Sequence, residues 1–205
     1  MRIALFGGTG RVGSIILARL LEEGHQVTAL ARNPEKLSVH PNLTVVQGDA
    51  KDAAASATTI LGSEAVVSAL GTDKTTTLSD AVPHIITAMK SENVKRIVTI
   101  GTAGILQSRL DSTKLRYKAG DSNRKLTTAA EEHHQAYRAL ELSALDWTIV
   151  CPTYLPDGEE TGTYRTEENY LPLDGKQIST ADTALFTLCE LVSCNHIGAR
   201  VGIAY

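Results

Sequence analysis

A glycine-rich segment follows the first apolar run of the chain and constrains the fold more than any other feature. Residues Ile3–Phe6 have the character of a short buried strand, Gly7–Gly13 contains the glycines, and Ser14–Glu22 has an apolar pattern of helical period. Glycines allow the strand to reverse sharply and the backbone to approach a phosphate group closely. Free amides at the start of such a helix bind anions. The arrangement is therefore typical of a dinucleotide-binding turn.

Two registers of the glycines fit this motif, Gly8-x-Gly10-x-x-Gly13 and Gly7-x-x-Gly10-x-x-Gly13, and the spacing does not choose between them. Arg11 adds to the signal, because a cation in the first turn of a helix opposes the helix dipole unless an anion is bound there. The alternative is a tight structural turn without a ligand. The residues predicted to contact a dinucleotide in this turn are Gly7, Thr9, Gly10, Arg11 and Val12.

Apolar runs and helical patterns alternate along the rest of the chain, and the runs are almost continuous in hydrophobicity, as in strands covered on both faces. The predicted strands are 26–31, 43–47, 65–69, 96–100, 147–151 and 199–203. The predicted helices are 14–23, 52–61, 79–93, 127–143 and 180–192. This alternation predicts an α/β fold: a doubly wound parallel sheet of Rossmann type in three layers, α, β and α. The length of 205 residues, 42% of them hydrophobic, fits a single domain.

Charge and composition argue against several classes of partner. The formal net charge is −3 and the basic residues are scattered, so neither nucleic acid nor an anionic membrane is expected as a partner. No apolar run approaches the roughly 18 residues of a transmembrane helix. Met1 leads almost directly into the first strand, so we expect a soluble cytoplasmic protein without a signal peptide. The three cysteines lack metal-ligand spacing, and we expect reduced thiols and no metal.

The end of the second predicted strand indicates the coenzyme. An acidic residue there accepts a hydrogen bond from a ribose 2′-hydroxyl, whereas an arginine accommodates a 2′-phosphate. This strand is followed by Arg32, with Lys36 one turn later, which favours NADP(H) over NAD(H); solvated charges at a strand end are the alternative. Asp49 is placed to accept from an adenine amino group. The residues predicted to bind coenzyme at the next two strand ends are Asp49, Ala50, Leu70, Gly71 and Thr72.

Further motifs are Glu131-Glu132-His133, the run from Trp147 to Pro152, Thr161–Tyr164 and Ile178–Asp182. With the glycine turn and the strand ends above, they make the chain resemble the atypical short-chain dehydrogenase/reductases over essentially its whole length. Within that group it resembles the NAD(P)H-binding proteins similar to biliverdin-IXβ reductase, also called NADPH flavin reductase. The resemblance implies a reductase that passes hydride from NADPH to a planar conjugated acceptor: a flavin, a quinone or a biliverdin-like tetrapyrrole.

The chain lacks the Tyr-x-x-x-Lys dyad with which ordinary short-chain dehydrogenases protonate a carbonyl. A planar conjugated acceptor needs less acid assistance because its charge is delocalised, so holding the two rings face to face can supply much of the catalysis. The candidate catalytic residues are His133, Tyr154 and Thr102, each of which has an ordinary structural role as its alternative. His133 and Tyr137 share one helical face. Tyr154 is expected to flank the nicotinamide end, and Cys151 and Pro152, just before it, are predicted to contact the coenzyme.

The chain departs from such relatives at two positions, so its acceptor site is not expected to be the same as theirs. Asp73-Lys74 stands where they carry an arginine first, and Tyr154 stands where they have a histidine. The connection Thr102–Lys125 is long enough to be functional or mobile, and residues 152–180 are expected to form a small cap on the substrate side.

A second function stays open. Relatives of the NmrA-like type bind NADP(H) without turnover and act as redox sensors through partner proteins, and the missing dyad fits them equally well. A nucleotide-sugar epimerase or dehydratase would need that dyad and a larger substrate domain. The sequence leaves the oligomeric state open.

Overall fold

In the computed structural model, which describes residues 1–121 and 127–205, the chain forms an eight-stranded sheet with helices on both faces. The strands are β1 (Arg2–Phe6), β2 (Gln26–Ala31), β3 (Leu43–Gln47), β4 (Ala65–Ser68), β5 (Arg96–Ile100), β6 (Asp146–Pro152), β7 (Arg165–Glu168) and β8 (Ala199–Ala204). The helices are α1 (Arg11–Glu22), α2 (Ala53–Ile60), α3 (Thr77–Ser91), α4 (Arg116–Ala119), α5 (Thr128–Glu141) and α6 (Thr180–Ser193). The strand order is β3-β2-β1-β4-β5-β6-β8-β7.

Apolar cores lie on both faces of the sheet. Helices α1 and α6 pack together on one face, while α2, α3 and α5 pack in sequence on the other. Strand β1 contributes to both cores because successive side chains of a strand point to opposite faces. Ile3 and Leu5 belong to the core beneath α1, and Ala4 and Phe6 belong to the other. Burial on both faces explains the continuous apolar runs, and the predicted three-layer α/β fold of Rossmann type is confirmed.

Strand β7 is an element that the sequence pattern did not predict. It pairs antiparallel with β8 at the edge of a sheet that is otherwise parallel. Its residues, Arg165–Glu168, are polar and mostly exposed, so they carry no apolar run from which a strand could be recognised. Charged side chains on an edge strand discourage pairing with another chain. Part of the segment 152–180, expected to cap the substrate side, is therefore the edge of the sheet.

The described part of the segment 102–125 folds against the sheet. A 3-10 turn at Ala103–Ile105 buries Ile105, and an isolated bridge pairs Gln107 with Leu115 before α4 begins. Residues 122–125 of the predicted loop lie outside the described residues. Within the ranges 1–121 and 127–205, no helix is long and apolar enough to cross a membrane, and no group of His, Cys, Asp and Glu side chains could hold a metal ion.

Candidate functional site

The backbone decides the register of the glycine turn. Gly7 has φ +81°, which L-residues with a side chain rarely adopt, and a Cβ atom built on it would lie 2.5 Å from the Ala69 carbonyl oxygen. A Cβ atom on Gly13 would overlap the Gly7 carbonyl oxygen. Gly8 has no positive φ, and its added Cβ would meet side chains rather than backbone, the nearest atom being Leu5 Cδ2 at 3.1 Å. The turn is therefore Gly7-x-x-Gly10-x-x-Gly13.

Helix α1 presents free amides at this turn. The helix begins at Arg11, three residues before the sequence pattern suggested, and its first hydrogen bond runs from Ser14 N to Gly10 O at 2.8 Å. The amides of the residues between have no acceptor within the helix, as at any helix start. Together with the positive end of the helix dipole they form a site suited to a phosphate group.

A cleft of about 130 Å³ opens beside this turn, at the carboxyl ends of β1, β2, β3 and β4. Strand β1 lies between β2 and β4, where the order of strands along the sheet reverses, and ligands of open α/β sheets bind at that point. The predicted coenzyme residues that line the cleft are Gly7, Thr9, Gly10, Arg32, Asp49, Ala50, Leu70 and Gly71. The remaining lining residues are Leu30, Ala31, Gly48, Ala69, Asp73 and Thr77.

Several predicted coenzyme residues do not line this cleft. Lys36 is exposed at the end of a 3-10 turn, and Val12 is buried on the core side of α1. Thr72 is half-buried, and its carbonyl oxygen accepts from Thr75 N at 2.8 Å. Cys151 and Pro152 are buried at the end of β6. The cleft thus gathers part of the predicted residues of the first four strand ends, and Cys151 and Pro152 of β6 are not among its lining residues.

Arg11 has a partner that the sequence did not reveal. Its Nη1 atom donates to Asp157 Oδ1 and to the Leu155 carbonyl oxygen, each at 3.0 Å. The chain itself therefore supplies a counter-charge for this cation in the first turn of α1. The helix dipole therefore gives no separate reason to expect an anion at Arg11, and the contact of Arg11 with a dinucleotide stays a prediction.

Arg32 lies at the end of β2, as predicted, and pairs with Asp73 across the cleft. The distance from Arg32 Nη2 to Asp73 Oδ2 is 2.7 Å. From the sequence, Asp73 stood out only as a departure from relatives and was not predicted to line the cleft. Its position directly after Leu70-Gly71-Thr72, at a strand end of the same edge, is the signal that could have found it.

Asp49 serves a structural role with one of its oxygens. Its Oδ1 atom accepts from Lys51 N at 2.9 Å, which closes the turn after β3. Asp49 nevertheless lines the cleft, as does its neighbour Ala50. A Cβ atom built on Gly71, by contrast, meets nothing within 4 Å. The protein itself makes no use of that space, so it is available to a ligand.

The three candidate catalytic residues are not part of this cleft. His133 is half-buried in α5, and burial lowers the pKa of its imidazole to about 4, so the ring is neutral at pH 7. Tyr154 is 60% exposed just after β6. Thr102 caps the 3-10 turn, its Oγ1 accepting from Gly104 N at 3.4 Å. A neutral His133 can accept a proton or orient a ligand through a hydrogen bond, but it is not an imidazolium acid at that pH.

The aromatic and cation–π contacts of Tyr137 are with residues other than His133. Its ring stacks on His134 with centroids 6.3 Å apart and packs edge-on against Trp147 at 5.9 Å. The guanidinium of Arg200 lies 4.4 Å from the ring centroid of Tyr137. Tyr137 therefore belongs to an aromatic cluster between α5 and the sheet, and the helical face that it shares with His133 does not unite the two in one site.

Comparison with known proteins now agrees with this geometry. The sequence pattern of a family described as NAD(P)H-binding matches residues 7–192, from the glycine turn to the end of α6. The chain belongs to this NAD(P)H-binding family. Its predicted membership among NAD(P)H-binding proteins of Rossmann type is thereby confirmed.

Solved structures share the fold over the full chain. A Burkholderia pseudomallei protein named "putative exported protein" is 31% identical, with 100% of both chains covered and a TM-score of 0.86. A Streptococcus pneumoniae protein named "a putative NADH-flavin reductase" is 22% identical, with 100% and 99% covered and a TM-score of 0.79. A Veillonella parvula short-chain dehydrogenase/reductase in complex with NADP is 18% identical, with 100% and 94% covered and a TM-score of 0.82. The last two show likeness of fold alone.

Proposed function

We propose that the chain is an NADPH-dependent oxidoreductase that transfers hydride to a planar conjugated acceptor, such as a flavin, a quinone or a biliverdin-like tetrapyrrole. One observation carries the proposal: the cleft at the reversal of strand order runs from the glycine turn that precedes α1 to Arg32. Membership of the NAD(P)H-binding family supports the use of a nicotinamide coenzyme. The names of two structural neighbours, a putative NADH-flavin reductase and a short-chain dehydrogenase/reductase in complex with NADP, support an oxidoreductase.

The residues of the cleft fit a dinucleotide. In this assignment the amides at the start of α1 bind the pyrophosphate, and the Gly7 and Gly10 backbone lets it approach. The open space beside Gly71 leaves room for the coenzyme to pass from β1 towards β4. Arg32 meets a 2′-phosphate with charge-assisted hydrogen bonds, which carry about 1.5–3 kcal/mol net. When bound, the coenzyme supplies the hydride, and these residues supply its position.

The acceptor class follows from what the described residues lack. No tyrosine of the chain has a lysine four residues later. His133 is neutral at pH 7 because burial lowers its pKa to about 4. A ketone acceptor would require a proton donor at the developing alkoxide. A delocalised acceptor requires chiefly close, face-to-face placement, which is a proximity effect. The exposed ring of Tyr154, just after β6, is our candidate for stacking on such an acceptor.

The test is a turnover assay with a binding control. The purified protein is mixed with NADPH and one acceptor, which is FMN, a quinone or a redox dye in separate reactions. Oxidation of NADPH is followed by absorbance. Calorimetry measures the affinities of NADPH and NADH on the same preparation. We expect acceptor-dependent oxidation with at least one acceptor and tighter binding of NADPH. Tight binding with no oxidation by any acceptor would contradict the enzyme and favour the NADP(H)-sensing function.

A further inference from the structure

An ion pair closes the mouth of the adenosine end of the cleft. Arg32 follows β2 and Asp73 follows β4, two strands that lie on either side of β1 in the sheet. Their side chains meet at 2.7 Å although the residues are 41 positions apart in sequence. Both residues line the cleft, and their side chains are 66% and 45% exposed. The acid thus reaches the same guanidinium that the proposed function assigns to a 2′-phosphate.

The backbone around Asp73 holds it in this place. Asp73 and Lys74 have φ values of +48° and +56°, two successive residues with side chains in the left-handed region. L-residues disfavour this region, although aspartate tolerates it better than most. The turn is closed by Thr75 N donating to Thr72 O at 2.8 Å, and the hydroxyls of Thr75 and Thr77 lie 2.9 Å apart. A defined turn therefore presents the Asp73 carboxylate to Arg32.

We propose that Asp73 is a specificity-determining residue, whose carboxylate competes with the 2′-phosphate of NADP(H) for the guanidinium of Arg32. This inference rests on the proposed function. A coenzyme with a 2′-phosphate must displace Asp73 from Arg32 and then bind beside an unpaired carboxylate. A coenzyme with a 2′-hydroxyl leaves the ion pair intact and offers Asp73 a donor, as an acidic residue at the end of β2 does in NAD-binding relatives of the fold.

The solvent exposure of Arg32 and Asp73 limits how strongly Asp73 can change the coenzyme preference. Both side chains lie in contact with solvent, so water and salt screen their attraction and also screen the repulsion between the carboxylate and a phosphate. We therefore expect Asp73 to reduce the preference for NADPH by about two- to fivefold rather than to reverse it. The chain would use both coenzymes, with NADPH preferred less than Arg32 alone would dictate.

The experiment compares Asp73→Asn with Asp80→Asn in the full-length protein. Asparagine keeps the shape of the side chain and tolerates left-handed φ, so the turn should be retained. Asp80 is the matched control, because it carries the same charge in the first turn of α3 but pairs with Lys51 at 3.2 Å. Calorimetry with NADPH and with NADH measures both dissociation constants for each protein, at low and at high salt.

In Asp73→Asn we expect NADPH to bind about two- to fivefold more tightly and NADH to bind with equal or lower affinity. Asp80→Asn should leave the ratio of the two constants unchanged, and high salt should narrow the difference between wild type and Asp73→Asn. An equal ratio in wild type and Asp73→Asn, with both coenzymes bound, would overturn the role of Asp73 alone. Failure of the wild-type protein to bind either coenzyme would overturn the proposed function as well.

Discussion

Replacing Gly71 by valine should separate coenzyme binding from folding more cleanly than any other substitution in the cleft. Gly71 follows β4 and lines the cleft. A Cβ atom built on it finds no heavy atom within 4 Å, and its φ lies outside the left-handed region. The protein alone therefore tolerates a side chain at this position. A bound dinucleotide crossing from the glycine turn towards β4 would meet that side chain.

The expected magnitudes differ for the two properties. Without a clash in the free protein, Gly71→Val should change the free energy of unfolding by no more than about 1 kcal/mol, because a compatible substitution of glycine acts mainly on the unfolded chain. Crowding of a well-packed contact costs about 1–3 kcal/mol. Applied to the complex, this cost corresponds to a dissociation constant about 5- to 150-fold higher for both NADPH and NADH.

Gly13→Ala is the opposite control. Its added Cβ atom would overlap the Gly7 carbonyl oxygen, a backbone atom that moves only with the whole turn. We expect a loss of about 3 kcal/mol or more in stability, seen as a fall of roughly 6–12 °C in Tm for a domain of this size.

Thermal unfolding and calorimetry on both variants give the result. Either a Gly71→Val protein that loses as much Tm as Gly13→Ala, or one that binds both coenzymes like wild type, would refute the reasoning.

Three further predictions follow from single contacts. Arg32→Ala should weaken NADPH binding about 10- to 100-fold, and NADH binding by less than about threefold, in calorimetric titrations. Glu190→Ala leaves the buried guanidinium of Arg96, now 2.9 Å from Glu190, without its counter-charge, and should cost about 3–5 kcal/mol in urea unfolding. Burial raises the pKa of Glu190, but hydrogen bonds from His196 and the Arg96 charge outweigh it and hold that pKa below 4.5. The stabilisation by Glu190 is therefore fully present above its unfolded pKa and disappears as the pH falls through the folded one, so the variant should approach wild type in acid. Burial raises the pKa of Cys151 to about 12, so native alkylation followed by mass spectrometry should label the other two cysteines, both exposed, and spare Cys151.

Local features of the sequence determined the fold class and the first half of the cleft. Continuous apolar runs separated by helical patterns specify buried parallel strands, because a strand covered on both faces must be apolar throughout. The glycine turn and Arg32 could be recognised because each lies within a few residues of the strand end that positions it. The same locality made residues after β3 and β4, such as Ala50 and Gly71, predictable as cleft residues.

Tertiary structure alone decided which charges meet. Asp73 reaches Arg32 from 41 residues away, and Asp157 reaches Arg11 from 146 residues away. Strand β7 forms because the backbone of β8 is available for pairing at the edge of the sheet, and the polar residues of β7 carry no apolar pattern that predicts a strand. Periodicity reports which face of an element is buried, but it carries no information about which distant element supplies a partner. For this reason the sequence predicted most residues of the cleft, whereas only the folded chain revealed the Asp73 carboxylate, which we expect to reduce the preference for NADPH.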